Sequence, residues 1–117
     1  MRVYVRLALL LGLVGVLLLS GGETVAAPGG TRRVSLSGAG AEGNAISEYP
    51  AISADSRYVA FHSGATNLVP GDTNGCHDVF VHDRQTAATE RVSVATGYAE
   101  GTRGSLHPAI SADGRYV

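Results

Sequence analysis

Pro50-Ala51-Ile52-Ser53-Ala54-Asp55-Ser56-Arg57-Tyr58-Val59-Ala60-Phe61 decides the fold, because the chain writes most of it twice. PAISADGRYV returns from Pro108 to Val117, and the wider segments Thr31 to Val59 and Thr89 to Val117 align without a gap at a spacing of 58 residues. A fixed period of this size marks an array of supersecondary units, each unable to bury its own apolar face without a neighbour. Within the repeated word, Pro50 to Ser53 reads as a short strand, Ala54 to Arg57 as a tight turn and Tyr58 to Ser63 as the returning strand. The second copy carries Asp113-Gly114 at the turn, where glycine takes a positive φ without steric cost. Ser56 at the matching place is strained if its φ is positive.

Outward from this hairpin, Val, Tyr, Phe and Thr gather in short runs punctuated by Gly and Pro, and nothing after Ser20 has amphipathic helical spacing. Arg33 to Ser37 alternates apolar and polar side chains, as a half-buried strand does. Asp78 to Asp83 is a third strand, with Val79 and Val81 on one face, and Glu90 to Val94 a fourth. Residues 50–94 thus hold four consecutive short antiparallel strands, the content of one β-propeller blade. The fold class expected is all-β: a complete blade at 50–94, an orphan outer strand at 31–37 and the start of the next blade at 108–117. The orphan strand matches the fourth strand of the unit and is the piece that completes the last blade of a closed ring. Closed propellers need about four to eight blades. The chain therefore reads as the N-terminal part of a longer protein, with further blades supplied in cis or by self-association.

These linked motifs resemble the repeat of the TolB-like β-propellers. Their blades read as a Ser-x-Asp-Gly-Arg/Lys turn, an apolar strand ending in Phe-x-Ser, an Ile/Val-Tyr/Phe-Val-x-Asp strand and a closing Arg-Leu/Val-Ser/Thr strand. Ser53, Asp55, Arg57, Phe61, Ser63, Val79, Phe80, Val81, Asp83, Arg91, Val92 and Ser93 stand at those places. The resemblance covers the chain from Thr31 onward and departs in the inserted stretch Ala65 to Asn74 and in the greater repeat length. It implies a rigid ring that presents loops, a fold that hosts binding scaffolds, periplasmic trafficking proteins and peptidase gate domains alike.

Before Thr31 the pattern changes. Arg2 and Arg6 precede an apolar run from Leu7 to Leu19, and small residues follow up to Ala26. The run is short for a bilayer, which asks for about 20 apolar residues. Positive start, short apolar middle and small-residue end predict a signal peptide over residues 1–26, leaving 27–117 as a secreted or periplasmic product with no membrane segment. The remainder carries seven arginines against nine carboxylates, with no basic stripe, so nucleic acid is not an expected partner. Cys76 is the single cysteine, which excludes an internal disulfide.

Candidate chemistry is sparse. Gly38 to Gly43 spells Gly-x-Gly-x-x-Gly, but the strand-like word at Pro50 leaves no room for the helix that a dinucleotide fingerprint needs. Asp72, Asn74 and Asp78 place oxygen ligands around Gly75 in the manner of a calcium loop, although Pro70 stands where the first ligand belongs. They are the metal-site candidates, and calcium the one cofactor the pattern suggests. His62, His77, His82 and His107 fit no ligand spacing. Ser53 and Ser111 lie inside the repeated word, as do Asp55 and Asp113, and residues present in every unit serve the unit. With no Gly-x-Ser-x-Gly elbow, the chain reads as an exported, non-catalytic scaffold that binds a protein or an extracellular polymer such as a polysaccharide. The alternative is the propeller part of a larger hydrolase whose catalytic residues lie beyond this chain.

Overall fold

A computed structural model describes residues 30–117; the expected signal peptide lies outside the described residues. The described chain is all-β, without a helix. Strands β1 (Ser47–Ile52), β2 (Tyr58–Ser63), β3 (Asp78–Asp83) and β4 (Thr89–Arg91) form one antiparallel sheet in the order β1-β2-β3-β4. Short turns return β2 beside β1 and β4 beside β3, while the longer connection from Gly64 to His77 returns β3 beside β2. β2 and β3 match their expected bounds, whereas β1 begins earlier than Pro50 and β4, expected over Glu90 to Val94, runs over Thr89–Arg91. A register shift between Glu48 and Ala51 absorbs the proline, which has no N–H to give the ladder.

The pairing of β2 with β3 sorts their side chains to two faces. Ala60 lies opposite Val81 and Phe61 opposite Phe80. On one face Ala60, Val79, Val81 and Val92 form a buried cluster, and Ile110 and Val117 from the second repeat pack against it with Tyr58. On the other, Phe61, Phe80, Ala65 and Leu68 cluster, with the two phenyl rings stacked at 5.9 Å. Burying a side chain of this size stabilises by roughly 1.5 to 3 kcal/mol, so these few residues carry much of a small domain's stability. The Gly43 backbone closes this second face: a Cβ there would lie 3.3 Å from Ala65 and 3.4 Å from Leu68.

The repeat in sequence is a repeat in hydrogen bonds. Ser53 Oγ donates to Asp55 Oδ1 at 2.6 Å and accepts the Tyr58 N–H at 3.0 Å; Ser111 does the same with Asp113 and Tyr116, at the same distances. Asp55 Oδ1 accepts the Arg57 N–H, and Asp113 Oδ1 the Arg115 N–H. Single bridges between Leu36 and Glu42, and between Val94 and Glu100, recur at the same offset. The Ala54 N–H donates to Ala112 O at 2.9 Å, joining one turn to the next.

Arg33 to Ser37, expected as a strand, joins no strand of the sheet. Its contacts include the Leu36–Glu42 bridge and a hydrogen bond from Thr89 Oγ1 to Leu36 O. An alternating pattern describes a half-buried face, but a strand also needs a neighbour to pair with, and here the segment folds back on Ala41. Residues 108–117 likewise form the turn without a ladder, the Ser111 N–H donating to Tyr116 O.

The two turns differ at one position. Ser56 has φ 60° and Gly114 φ 70°. A Cβ on Gly114 would sit 2.5 Å from Tyr58 Cδ2. Left-handed backbone costs a non-glycine residue about 1 to 2 kcal/mol, and the overlap adds to it. Gly114→Ala is therefore expected to lower stability by at least about 2 kcal/mol in urea unfolding. A loss below about 0.5 kcal/mol would mean that Tyr58 does not rest on this turn.

Candidate functional site

The connection from Gly64 to His77 brings Asp72, Asn74 and Asp78 together, as the sequence pattern requires, but around a protein cation. Arg91 of β4 places Nη1 at 3.4 Å from Asp72 Oδ1, 3.5 Å from Asp78 Oδ2 and 2.6 Å from Glu100 Oε1. Asn74 donates through Nδ2 to Asp78 Oδ2 at 2.9 Å and to Gly101 O at 3.0 Å, while its Oδ1 accepts the Cys76 N–H. Ser93 Oγ donates to Asp78 Oδ1 at 2.6 Å. The negative charge of the loop is thus partly offset by a guanidinium. Among the described residues no group of three or more His, Cys, Asp or Glu side chains is placed to hold a metal ion.

Arg91 and Glu100 repeat an earlier pair, Arg33 and Glu42, whose charged atoms lie 2.5 Å apart. That first pair is exposed, whereas the second is capped by Thr73, whose hydroxyl and N–H both donate to Glu100. These Thr73 bonds, with Arg91, hold the Glu100 carboxyl down to about 2. Burial pushes Asp72 up, and the nearby Asp78 charge adds to the rise. Asp72 Oδ1 and Arg91 Nε are buried without hydrogen-bond partners, so three carboxylates share one guanidinium in a cluster that is geometrically incomplete. A second pair anchors the repeated turn: Arg57 donates through Nε and Nη2 to the two Asp83 oxygens at 3.0 and 2.7 Å. This fork holds Asp83 down to about 2.

A second cluster escaped the sequence reading. His62 of β2, 3% exposed, is stacked by Tyr49 at 5.2 Å and flanked edge-on by His77 and His107, both at 5.7 Å between ring centroids. The His107 N–H donates to His62 Nδ1 at 3.2 Å, which puts the proton of the neutral ring on Nε2, facing Glu48 Oε2 at 3.8 Å. Burial pushes the His62 pKa down, His77 and His107 assist, and Glu48 opposes. Glu48 is half in solvent, and exposed pairs contribute only about 0 to 1 kcal/mol. Tyr49 and His107 occupy the same place in the two repeats, each before a proline and each at positive φ, 53° and 54°. Their rings meet edge to face at 4.3 Å. The missed signal was that shared place in the repeat, since 62, 77 and 107 have no meaningful spacing of their own.

The other candidates are structural. His82 is buried, with Nδ1 2.9 Å from Thr89 Oγ1. Gly38 to Gly43 forms turns and opens no helix. Ser53 and Ser111 are committed to their aspartates. Cys76 is a half-buried free thiol. No family model, curated protein or solved structure matches the chain.

Replacing Arg91 with Leu leaves Asp72 and Asp78 buried with no cation. The expected loss is about 3 to 5 kcal/mol at pH 7 by urea unfolding, shrinking as pH falls and Asp72, pushed up by burial, protonates. An unchanged midpoint would show that Arg91 does not balance the loop. Asp83 and Glu100 have pKa values below their ordinary range, so the stability they confer is complete above pH about 5 and lost as pH falls towards 2. Thermal melting followed by circular dichroism should trace that fall, and Asp83→Asn should flatten part of it.

Proposed function

We propose that the chain is part of an exported, non-catalytic β-propeller scaffold that binds a protein or an extracellular polymer through its loops. The observation that carries this reading is the congruence of the two repeated turns, bond for bond, beside a four-stranded meander. A unit that reproduces its own geometry at a fixed offset is suited to stacking, and stacking in a ring gives a propeller. The second repeat also borders an apolar groove of about 400 Å³, lined by Val79, Val92, Val94, Pro108 and Val117 among others. Gly101 lines it; its counterpart Gly43 rests against Ala65 and Leu68. The groove is thus shaped for the Phe61-to-Leu68 part of a further unit.

Binding through loops is supported by what they expose. Tyr98 stands at a loop tip, 79% exposed and at φ 64°, and Tyr49 and Leu106 are exposed near the histidine cluster. Aromatic side chains held on a rigid frame lose little entropy on contact. The serine hydroxyls of the repeated word are already engaged, which favours a structural role for them.

Two measurements test the reading. Appending a second copy of Ala60 to Val117 after Val117 should raise the urea midpoint, because the added unit fills the groove; an unchanged or lower midpoint would count against stacking units. The purified exported protein, screened against extracellular polysaccharides and secreted proteins, should retain a ligand that Tyr98→Ala weakens about tenfold or more without loss of stability. Hydrolysis of a peptide or ester substrate by the same preparation would replace the scaffold reading with an enzymatic one.

A further inference from the structure

The segment 104–108 crosses from one repeat to the next and is tied down at two points. The Ser105 N–H donates to His77 O at 2.7 Å, a backbone bond indifferent to pH. The His107 N–H donates to His62 Nδ1 at 3.2 Å, a bond that exists only while that nitrogen keeps its lone pair. We propose that His62 is a pH-sensitive latch: neutral, it holds the His107 end of this segment on β2, and protonated, it lets that end go while Ser105 stays fixed.

The geometry makes the switch close to all-or-none at the bond itself. Imidazolium carries a proton on both nitrogens, so Nδ1–H would face N–H, donor against donor, inside a site where His62 is 3% exposed. The groups facing the ring come from every element packed on it. Glu48 and Tyr49 of β1 favour the charged form, by charge and by the ring face, but both are about half in solvent. His77 and His107 oppose it, and the burial of His62 opposes it most.

Sign and range follow from linkage. A histidine whose pKa is lowered in the closed state stabilises that state fully above the pKa it has when open, near 6.5, and progressively less as pH falls below it. The consequence reaches past the bond. His107, Ser105 and Pro108 form one wall of the apolar groove, and Ile110 just beyond them packs on the buried cluster. Acidification therefore loosens the junction between repeats and the wall of the groove, leaving the Phe61–Phe80 side intact.

Amide hydrogen exchange of the full chain, followed by NMR at pH 8.0 and pH 5.0 and corrected for intrinsic rates, reads the latch directly. The expected result is a fall in the protection of the His107 amide of up to about 30-fold, the limit set by an open-state pKa near 6.5, with Ser105 protection retained. His62→Asn puts an amide oxygen near the Nδ1 position, where it accepts the same N–H but does not titrate; it should keep the protection at both pH values. Glu48→Gln should leave the pH response in place, which separates it from carboxylate titration. Equal His107 protection at both pH values in the wild-type chain overturns the latch, as does an equal fall in His62→Asn. Should His62→Asn fail to fold, the ring resonances of His62 in the wild-type chain decide: a titration midpoint at or above the ordinary value of about 6.5 would mean that the closed state does not disfavour the charged ring, and overturns the proposal.

Discussion

Both faces of one small sheet must be kept from water, and the strands cannot do this for themselves. β2 and β3 send Ala60, Val79 and Val81 to one side and Phe61 and Phe80 to the other. A sheet apolar on both faces survives only between two covers. The second repeat supplies Ile110 and Val117 to the first face. The second face is covered from within by Leu68 and Ala65 and from the first repeat by the Gly43 loop. Position in the fold, and not composition alone, makes these the residues on which the rest depends. Without the covers the meander would expose its core and the Arg91 cluster would lose the strand that holds it.

The repeated turn shows how one local solution serves two environments. Ser53 and Asp55 satisfy the Tyr58 and Arg57 amides with side-chain oxygens, so the turn closes on short-range bonds independent of packing. Packing enters at the single differing residue. Ser56 sits in solvent and tolerates its left-handed φ at a cost of about 1 to 2 kcal/mol. Gly114 is buried under the Tyr58 ring, where any Cβ would collide. The substitution between the copies is explained by what lies above the turn.

The legible part of this chain was the part determined by neighbours in sequence. β2 and β3 ran where the apolar runs within Tyr58 to Ser63 and Asp78 to Asp83 placed them, and the Ser-x-Asp turns braced their own backbones. Arg33 to Ser37 had the alternation of a half-buried strand but no partner strand, so the pattern misled. Asp72, Asn74 and Asp78 lie near one another in sequence, yet the cation that Asp72 and Asp78 face, Arg91, comes from another strand and is invisible to local spacing. His62, His77 and His107 were harder still. They meet because β2 carries one, the following long connection another and the second repeat the third, and only the three-dimensional repeat unites them.

Tyr49 and His107 sharpen the distinction between what the architecture imposes and what the sequence adds to it. A non-glycine residue at positive φ costs about 1 to 3 kcal/mol, and here the strain occurs twice at equivalent places before a proline. In the first copy it coincides with the register shift in β1. Such a shift re-aims a side chain, and the ring of Tyr49 is turned over His62. The positive-φ residue before the proline is therefore common to both units, whereas the register shift belongs to the first. The side chain at that position is free to differ, a phenol in one unit and an imidazole in the next. Strain tolerated for the sake of the repeat becomes a site wherever the residue there carries chemistry, which is why the histidine cluster arises at a junction and not within a single blade-like sheet.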